Sequence, residues 1–199
     1  FLKLDILNKK EIKNIIDEIN PIKIFYFSGQ SSLVRSLKFT KKTFDSNYLG
    51  VKNFLEVIKS NRYKISFFKA NSGYIFQSKS GIISLKSKLS NSKNPYIKAQ
   101  IKAYKLIKKY RKKGFDCHSI IMLQVESPLR SEHFFIKKVC SNAKNGNKIK
   151  VGNINTVRDY SWASEIVQGI YYFSKSNIKD IILSSGVGLS GIQILDEAY

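Results

Sequence analysis

Acidic residues are scarce in this chain: 14 Asp and Glu stand against 35 Lys and Arg in 199 residues, a formal charge of +21. That imbalance points either to an anionic partner or to lysines that decorate ordinary solvated faces. No recognition motif and no single basic stripe accompanies the charge. We therefore set nucleic acid aside as the first reading and note that a small anionic ligand suits the charge equally well. Cysteine is nearly absent, with Cys117 and Cys140 alone, too few and too unpatterned for a disulfide scaffold or a zinc site. The only histidines, His118 and His133, share no metal-ligand spacing; both read as structural or surface residues, and no metal is expected. There is no long uncharged apolar run and no signal peptide, so we expect no membrane association and a cytoplasmic location. Internal repeats and low-complexity linkers are also missing. Because the chain opens on Phe1 rather than methionine, we expect a fragment or a processed product.

What is present is a globular composition. Hydrophobic residues make up 43% and aromatics 13%, enough for a buried core and for one sizeable α/β domain or part of a larger one. Asn8 is placed to cap a helix, with Glu11 three residues on and Ile12, Ile15, Ile16 and Ile19 at helical spacing before Pro21. KIFYFS, Lys23 to Ser28, is a compact run ending in Gly29 and reads as a buried parallel strand. A helix is expected over approximately Thr43 to Lys59, then strands over Lys64 to Asn71 and Cys117 to Val125. Between these strands a Ser- and Lys-rich loop precedes a helix with Pro95 in its first turn and Gly114 past its end. Its Lys102, Lys105, Lys108 and Lys109 read as a solvated face. The later texture suggests a helix within 126–146, a short strand near Lys148 to Val151, a polar turn over Gly152 to Thr156 and a helix from Trp162 to Phe173. A strand over Ile181 to Ser184 and a last helix from Ser190 follow. Alternating strands and helices build a parallel sheet covered on both faces, and ligands of such sheets lie outside the strands' carboxyl ends. That rule gathers Asp5, Gly29 to Ser31, Ser72 to Tyr74 and Gln124 to Glu126 along one edge.

NPYIKAQ, Asn94 to Gln100, is the most informative stretch. A tyrosine followed one helical turn later by lysine puts an ammonium on the phenol's own face, where it lowers a pKa of about 10 and can hold a nicotinamide ribose. Here Tyr96 is followed by Gln100, which keeps the reach and loses the charge. Lys98 and Lys102 sit at the wrong spacing to replace it.

Taken in order, Asp5-Ile6, FSGQSS, ANSGY, NPY, ESPLR followed by FFIKK, GNINTVRDY and LSSGVGLS resemble the GDP-mannose 4,6-dehydratases, extended short-chain dehydrogenase/reductases, over almost the whole chain. The resemblance implies an α/β, parallel-sheet Rossmann-like NAD(P)-binding fold. The family's glycine-rich phosphate turn has no counterpart here, so we expect that fold to lack its first βα unit or units and to carry part of a small C-terminal substrate-binding subdomain. Residues 1–125 would be the partial cofactor domain and 126–199 the partial nucleotide-sugar region, interleaved with the last sheet strand. On the cofactor side, the resemblance implies that Asp5 and Ile6 border the adenine of NADP. Phe27, Gly29, Gln30 and Ser31 would line its ribose and phosphate path, with Tyr96 and Gln100 completing the cofactor set.

For the reaction, Ser72 takes the family's catalytic threonine position and Tyr96 its catalytic tyrosine. Tyr74 stands where the family has a glutamate base, and Gln100 where it has lysine. Glu126, Arg130, Lys138 and Arg158 match the nucleotide-sugar side, where Arg and Lys suit a diphosphate. The family dehydrates GDP-mannose to GDP-4-keto-6-deoxymannose. A phenol at Tyr74 is a poor base near pH 7, so two proton-transfer roles are compromised and catalysis is expected to be impaired or absent. A residual nucleotide-sugar binder, a homo-oligomer or a partner of an intact homologue stands beside that reading. From another class stands a basic nucleic-acid-binding scaffold that reuses the fold.

Overall fold

The computed structural model describes residues 1–78 and 81–199. In chain order its elements are α1 (Lys9–Ile19), β1 (Lys23–Tyr26), α2 (Leu33–Lys38), α3 (Thr40–Phe44), a π turn (Asp45–Leu49), α4 (Gly50–Ser60), β2 (Ser66–Ser72), α5 (Pro95–Arg111), β3 (Cys117–Met122), β4 (Gln124–Glu126), α6 (Phe135–Lys144), β5 (Val157–Trp162), α7 (Ala163–Ser174), β6 (Asp180–Leu183), β7 (Gly188–Ser190) and α8 (Gly191–Ala198). They form two compact units, one of residues 1–121 with 177–182 and one of residues 122–176 with 183–199. The Ser- and Lys-rich loop before α5 includes Lys79 and Ser80, which lie outside the described residues.

The first unit is built on a four-stranded sheet in the order β1-β2-β3-β6, with β1 and β2 parallel and Lys23 opposite Ser66. This is the α/β parallel-sheet architecture expected. Continuous apolar runs make these strands because both faces are covered. Phe67, Phe68, Ile120 and Ile121 are at most 1% exposed. Phe67 packs with Tyr26 and Phe54 in a core that also takes Ile12 and Ile16 from α1, Leu55 and Ile58 from α4, and Ala103 and Ile107 from α5. Each of the Ile, Leu and Phe side chains contributes about 1.5–3 kcal/mol by leaving water. Asn8 caps α1 as expected, accepting from the N–H groups of Lys10 and Glu11, and Asn20 ends it in the left-handed region at φ 46°.

The helix expected over Thr43 to Lys59 is instead α3, a π turn and α4, and the short α2 precedes it. Tyr26 explains the break. Its hydroxyl donates to the Ser46 carbonyl at 2.7 Å, the acceptor an α-helix would offer to the N–H of Gly50. Gly50 therefore bonds one residue further back, to Asp45. A Cβ at Gly50 would lie 2.1 Å from the Tyr26 Oη, so only glycine lets the phenol approach this closely.

The second unit carries a separate three-stranded sheet in the order β4-β5-β7, parallel between β4 and β5 and antiparallel between β5 and β7. The strand expected over Cys117 to Val125 is thus two strands belonging to different sheets, separated at Leu123. Lys148 to Val151 forms no strand; the strand lies later, over Val157–Trp162, whose polar residues conceal it because β5 pairs on both edges without a continuous apolar run. The last helix starts as read: Ser190 and Gln193 close a reciprocal capping box on α8.

Candidate active site

Asn94 fixes the start of α5. Its Oδ1 accepts from the backbone N–H of Tyr96 at 2.9 Å and of Ile97 at 3.4 Å, while Pro95 occupies the first turn. Its Nδ2 donates to the Leu33 carbonyl at 3.2 Å, and Ser36 Oγ donates to its Oδ1 at 3.1 Å, tying the helix start to α2. Tyr96 and, one turn on, Gln100 are thereby held on the buried face of α5, 7% and 4% exposed.

Gln100 enters a network that sequence reasoning missed. Its Nε2 donates at 2.8 Å to Oδ1 of Asn47, in the π turn and 2% exposed. Asn47 Nδ2 in turn donates to the carbonyls of Gln30 at 3.0 Å and Thr43 at 2.9 Å. Gln30 is braced further, its N–H reaching Ser46 Oγ at 3.2 Å and its Nε2 reaching the Ser32 carbonyl at 2.9 Å and Thr43 Oγ1 at 3.1 Å. At Gly29 a Cβ would stand 2.4 Å from Asn47 Oδ1, so the glycine makes room for the asparagine. Gly29, Gln30 and Gln100 are therefore brought together through Asn47, whereas Phe27 is 54% exposed and Ser31 is exposed in the loop beyond β1. Gln100 Oε1 is left buried with no hydrogen-bond partner, a state that costs about 1–3 kcal/mol. An amide here carries no charge with which to lower a phenol's pKa.

Two further groups of expected residues lie in the same unit. Asp5 and Ile6 line an open cleft of about 520 Å³ with Phe39, Thr40, Lys41, Lys42 and Ser46. Asp5 Oδ1 accepts from the Leu7 N–H at 2.9 Å, which shapes the chain at the cleft's edge. At the carboxyl end of β2, Ser72 Oγ accepts from the Tyr74 N–H at 3.3 Å and caps the single turn Gly73–Ile75. Ser72 and Tyr74 are half-buried.

In the second unit Glu126 ends β4 and Arg130 follows four residues on in the loop, Arg130 Nε 3.6 Å from Glu126 Oε2, with the guanidinium 3.5 Å from the Phe134 ring centre. Burial pushes the Glu126 carboxyl up, against the pull of Arg130. Tyr160, another residue that sequence reasoning missed, lies within electrostatic reach of two expected residues. Burial raises its phenol; Arg158 opposes the rise and Glu126 adds to it. Lys138 is engaged elsewhere, donating to the Lys150 carbonyl. Asp159 accepts from the N–H and Oγ of Ser185, both at 2.9 Å, and from the N–H of Gly186 at 2.7 Å.

Comparison with known proteins places this geometry in a family. The sequence profile for GDP-mannose 4,6 dehydratase matches residues 1–198. The chain is 24% identical over 204 residues to a GDP-mannose 4,6-dehydratase of Sinorhizobium fredii, covering 98% of this chain and 58% of that protein. It is 23% identical over 201 residues to one of Vibrio cholerae, covering 96% and 54%. The chain thus spans about half the length of the curated relatives it matches. Among solved structures it is similar to RMD from Pseudomonas aeruginosa complexed with NADPH, at TM-score 0.88 and 18% identity over 98% of this chain and 69% of that one. It is likewise similar to UDP-glucuronic acid 4-epimerase from Bacillus cereus in complex with UDP-glucuronic acid and NAD, at TM-score 0.89 and 16% identity over 100% and 64%. At these identities the structural likeness establishes the fold. No helix among the described residues is long and apolar enough to cross a membrane.

Proposed function

The chain belongs to the GDP-mannose 4,6-dehydratase family, and from that premise we propose that it binds a nicotinamide dinucleotide, NADP, and a nucleotide sugar of the GDP-mannose type in the cytoplasm, with turnover impaired or absent. The observation that carries this reading is Gln100, held by Asn47 as an uncharged amide one turn from Tyr96. The residues present suit a ligand that donates a hydrogen bond, since the buried Oε1 of Gln100 has no protein partner. NADP, when bound, supplies the hydride chemistry of the family. On this chain's side Ser72 and Tyr96 keep hydroxyls, while Tyr74 offers no carboxylate to remove a ring proton near neutral pH. Glu126, Arg130 and Arg158 are the groups for the nucleotide sugar, with Lys138 reaching it only by leaving its backbone partner. Partnership with a second copy or with an intact homologue is part of the same proposal.

The test is calorimetric titration of the purified, folded chain with NADP and with GDP-mannose, run beside a turnover assay. Both ligands are expected to bind, GDP is expected to compete with the sugar nucleotide, and no 4-keto product should form above background. Absence of heat from either ligand, or product formed at an ordinary enzymatic rate, refutes the reading. One structural observation favours a second reading as a polyanion scaffold. Lys98, Lys102, Lys105, Lys109 and Lys112 are exposed along one face of α5 and its cap, a stripe not legible in the composition. Binding to long polyanions with a steep salt dependence, without competition by GDP, would favour that reading instead.

A further inference from the structure

Two helices end at one cleft, and they end differently. Beyond α4 the N–H of Arg62 returns to the Lys59 carbonyl at 3.2 Å and that of Tyr63 to the Ile58 carbonyl at 3.1 Å. Beyond α5 the N–H of Gly114 returns to Arg111 at 3.0 Å and that of Phe115 to Tyr110 at 3.2 Å. This closing pattern puts one residue in the left-handed region, at φ 55° for Arg62 and φ 85° for Gly114. Glycine is its ordinary occupant, because a Cβ disfavours that conformation. α4 holds an arginine there instead. A cation gains from the dipole at a helix C-terminus, but any position in the last turn serves that purpose without the backbone penalty.

The cleft lies at the amino edge of the sheet, away from the strands' carboxyl ends, and measures about 500 Å³. Lys59, Arg62 and Lys64 line it, and among the described residues none of the three has an acidic partner. The carboxylate among its lining residues, Asp116, is already engaged by Lys179 at 2.6 Å and Ser66 at 2.5 Å. Lys59 also lines a second cleft of about 500 Å³, with Lys9, Lys10 and Lys13. There Glu56 is held by Lys9 and Lys52, and Lys13 by Asp17, so uncompensated charge runs from Lys10 through Lys59 to Arg62 and Lys64. The rings beside it offer no platform for a base: Tyr110 is buried, and Tyr63 and Phe115 pack on the core. We propose that this amino-edge cleft binds a chain of linked phosphates, with the second cleft receiving its continuation past Lys59. The inference is independent of the nucleotide-sugar reading, which concerns the opposite edge of the sheet.

The test is calorimetric titration of the full chain with tripolyphosphate, and with oligothymidylate as the other source of linked phosphates. Arg62→Gly gives the end of α4 the residue it favours while removing the guanidinium. It is expected to weaken tripolyphosphate binding about tenfold, with Tm unchanged or raised. Lys59→Gln and Lys64→Gln, on the exposed rim where folding is not at stake, should each weaken it too. Lys144→Gln, the same charge lost from α6, should not. Tighter binding of tripolyphosphate assigns a free phosphate chain to the cleft, and equal binding at matched phosphate number assigns a nucleic-acid backbone to it as well. No heat from tripolyphosphate, an equal loss from Lys144→Gln, or full affinity in Arg62→Gly whatever its Tm overturns the inference.

Discussion

Replacing Lys69 with methionine removes an ammonium from the interior of the sheet. Lys69 lies on β2 between Phe68 and Ala70 and is 1% exposed. Its Nζ donates to the Ala70 carbonyl and sits 5.6 Å from the centre of the Tyr26 ring. Among the described residues no carboxylate pairs with it. Burial accordingly pulls its pKa from 10.5 down to about 7. At 1.36 kcal/mol per unit, that shift corresponds to a cost of about 5 kcal/mol for the charged form below neutral pH. The sign follows from proton counts. Between pH 7 and 10.5 the unfolded chain binds the proton and the folded one gives it up, so the unaltered protein gains stability as pH rises through that window and loses it as pH falls. Methionine fills a similar volume and has no charge to desolvate. Allowing for the lost carbonyl hydrogen bond and the ring contact, Lys69→Met is expected to stabilise the chain by about 2–4 kcal/mol at pH 7, and by about 1 kcal/mol or less near pH 10.5. Urea unfolding followed by far-ultraviolet circular dichroism at the two pH values measures both numbers. A variant less stable than the parent at pH 7, or an advantage that does not shrink with rising pH, refutes the reasoning.

Two further expectations concern the same unit. Gly50→Ala drives a methyl group to 2.1 Å from the Tyr26 hydroxyl and 2.9 Å from Ile6 Cδ1. It should cost about 1–3 kcal/mol, and Tyr26→Phe in the same chain should recover part of the loss; additive losses in a denaturation double-mutant cycle would show that the phenol and the glycine are not coupled. At Asp116, burial pushes the carboxyl up, but hydrogen bonds from Lys179 at 2.6 Å and Ser66 at 2.5 Å, together with His118 and the Lys179 charge, outweigh it and hold the pKa at about 2. Stability from this group is complete above about pH 4 and is lost as pH falls toward 2, so Asp116→Asn should lower Tm at pH 7 and flatten the dependence of Tm on pH between 4 and 2.

The elements that can be read in the sequence are those whose cause is local. KIFYFS, KISFFKAN and CHSIIM are contiguous apolar runs because parallel strands covered on both faces must be, and α5 and α8 announce themselves through Asn94-Pro95 and Ser190 with Gln193. The π turn cannot be read this way, because it depends on a phenol 20 residues away from the Ser46 carbonyl that it captures. β5 is hidden for a related reason: a strand paired on both edges in a small sheet needs no apolar run, and Val157–Trp162 is mostly polar. The same division holds in the site. Tyr96 and Gln100 stand out through spacing on one helix, whereas Asn47 is 53 residues from Gln100 and reaches it only because the π turn reorients its helix. An asparagine three residues before a glycine carries no such message by itself.

In the function proposed above, binding and proton transfer are separable for a structural reason. Set against the family pattern, glutamine for lysine is a change that Asn47 can absorb, since its oxygen accepts from an amide as readily as from an ammonium, and the bonds from Asn47 to Gln30 and Thr43 need not move. The cradle formed by Gly29, Gln30, Asn47 and Gln100 therefore keeps its form with one acceptor to spare. Tyrosine for glutamate at position 74 is a different kind of change, because no neighbouring hydrogen bond can turn a phenol into a carboxylate of pKa near 4. Of the groups matched to proton transfer only the hydroxyls of Ser72, Tyr74 and Tyr96 remain, and none beside them on α5 carries the charge that would make Tyr96 a stronger acid. On the family pattern Gln100 can thus be exchanged without disturbing the bonds that Asn47 makes, while the proton-transfer roles of the proposed function need two charges that Tyr74 and Gln100 do not supply. These constraints support the proposal of a ligand-holding site without turnover.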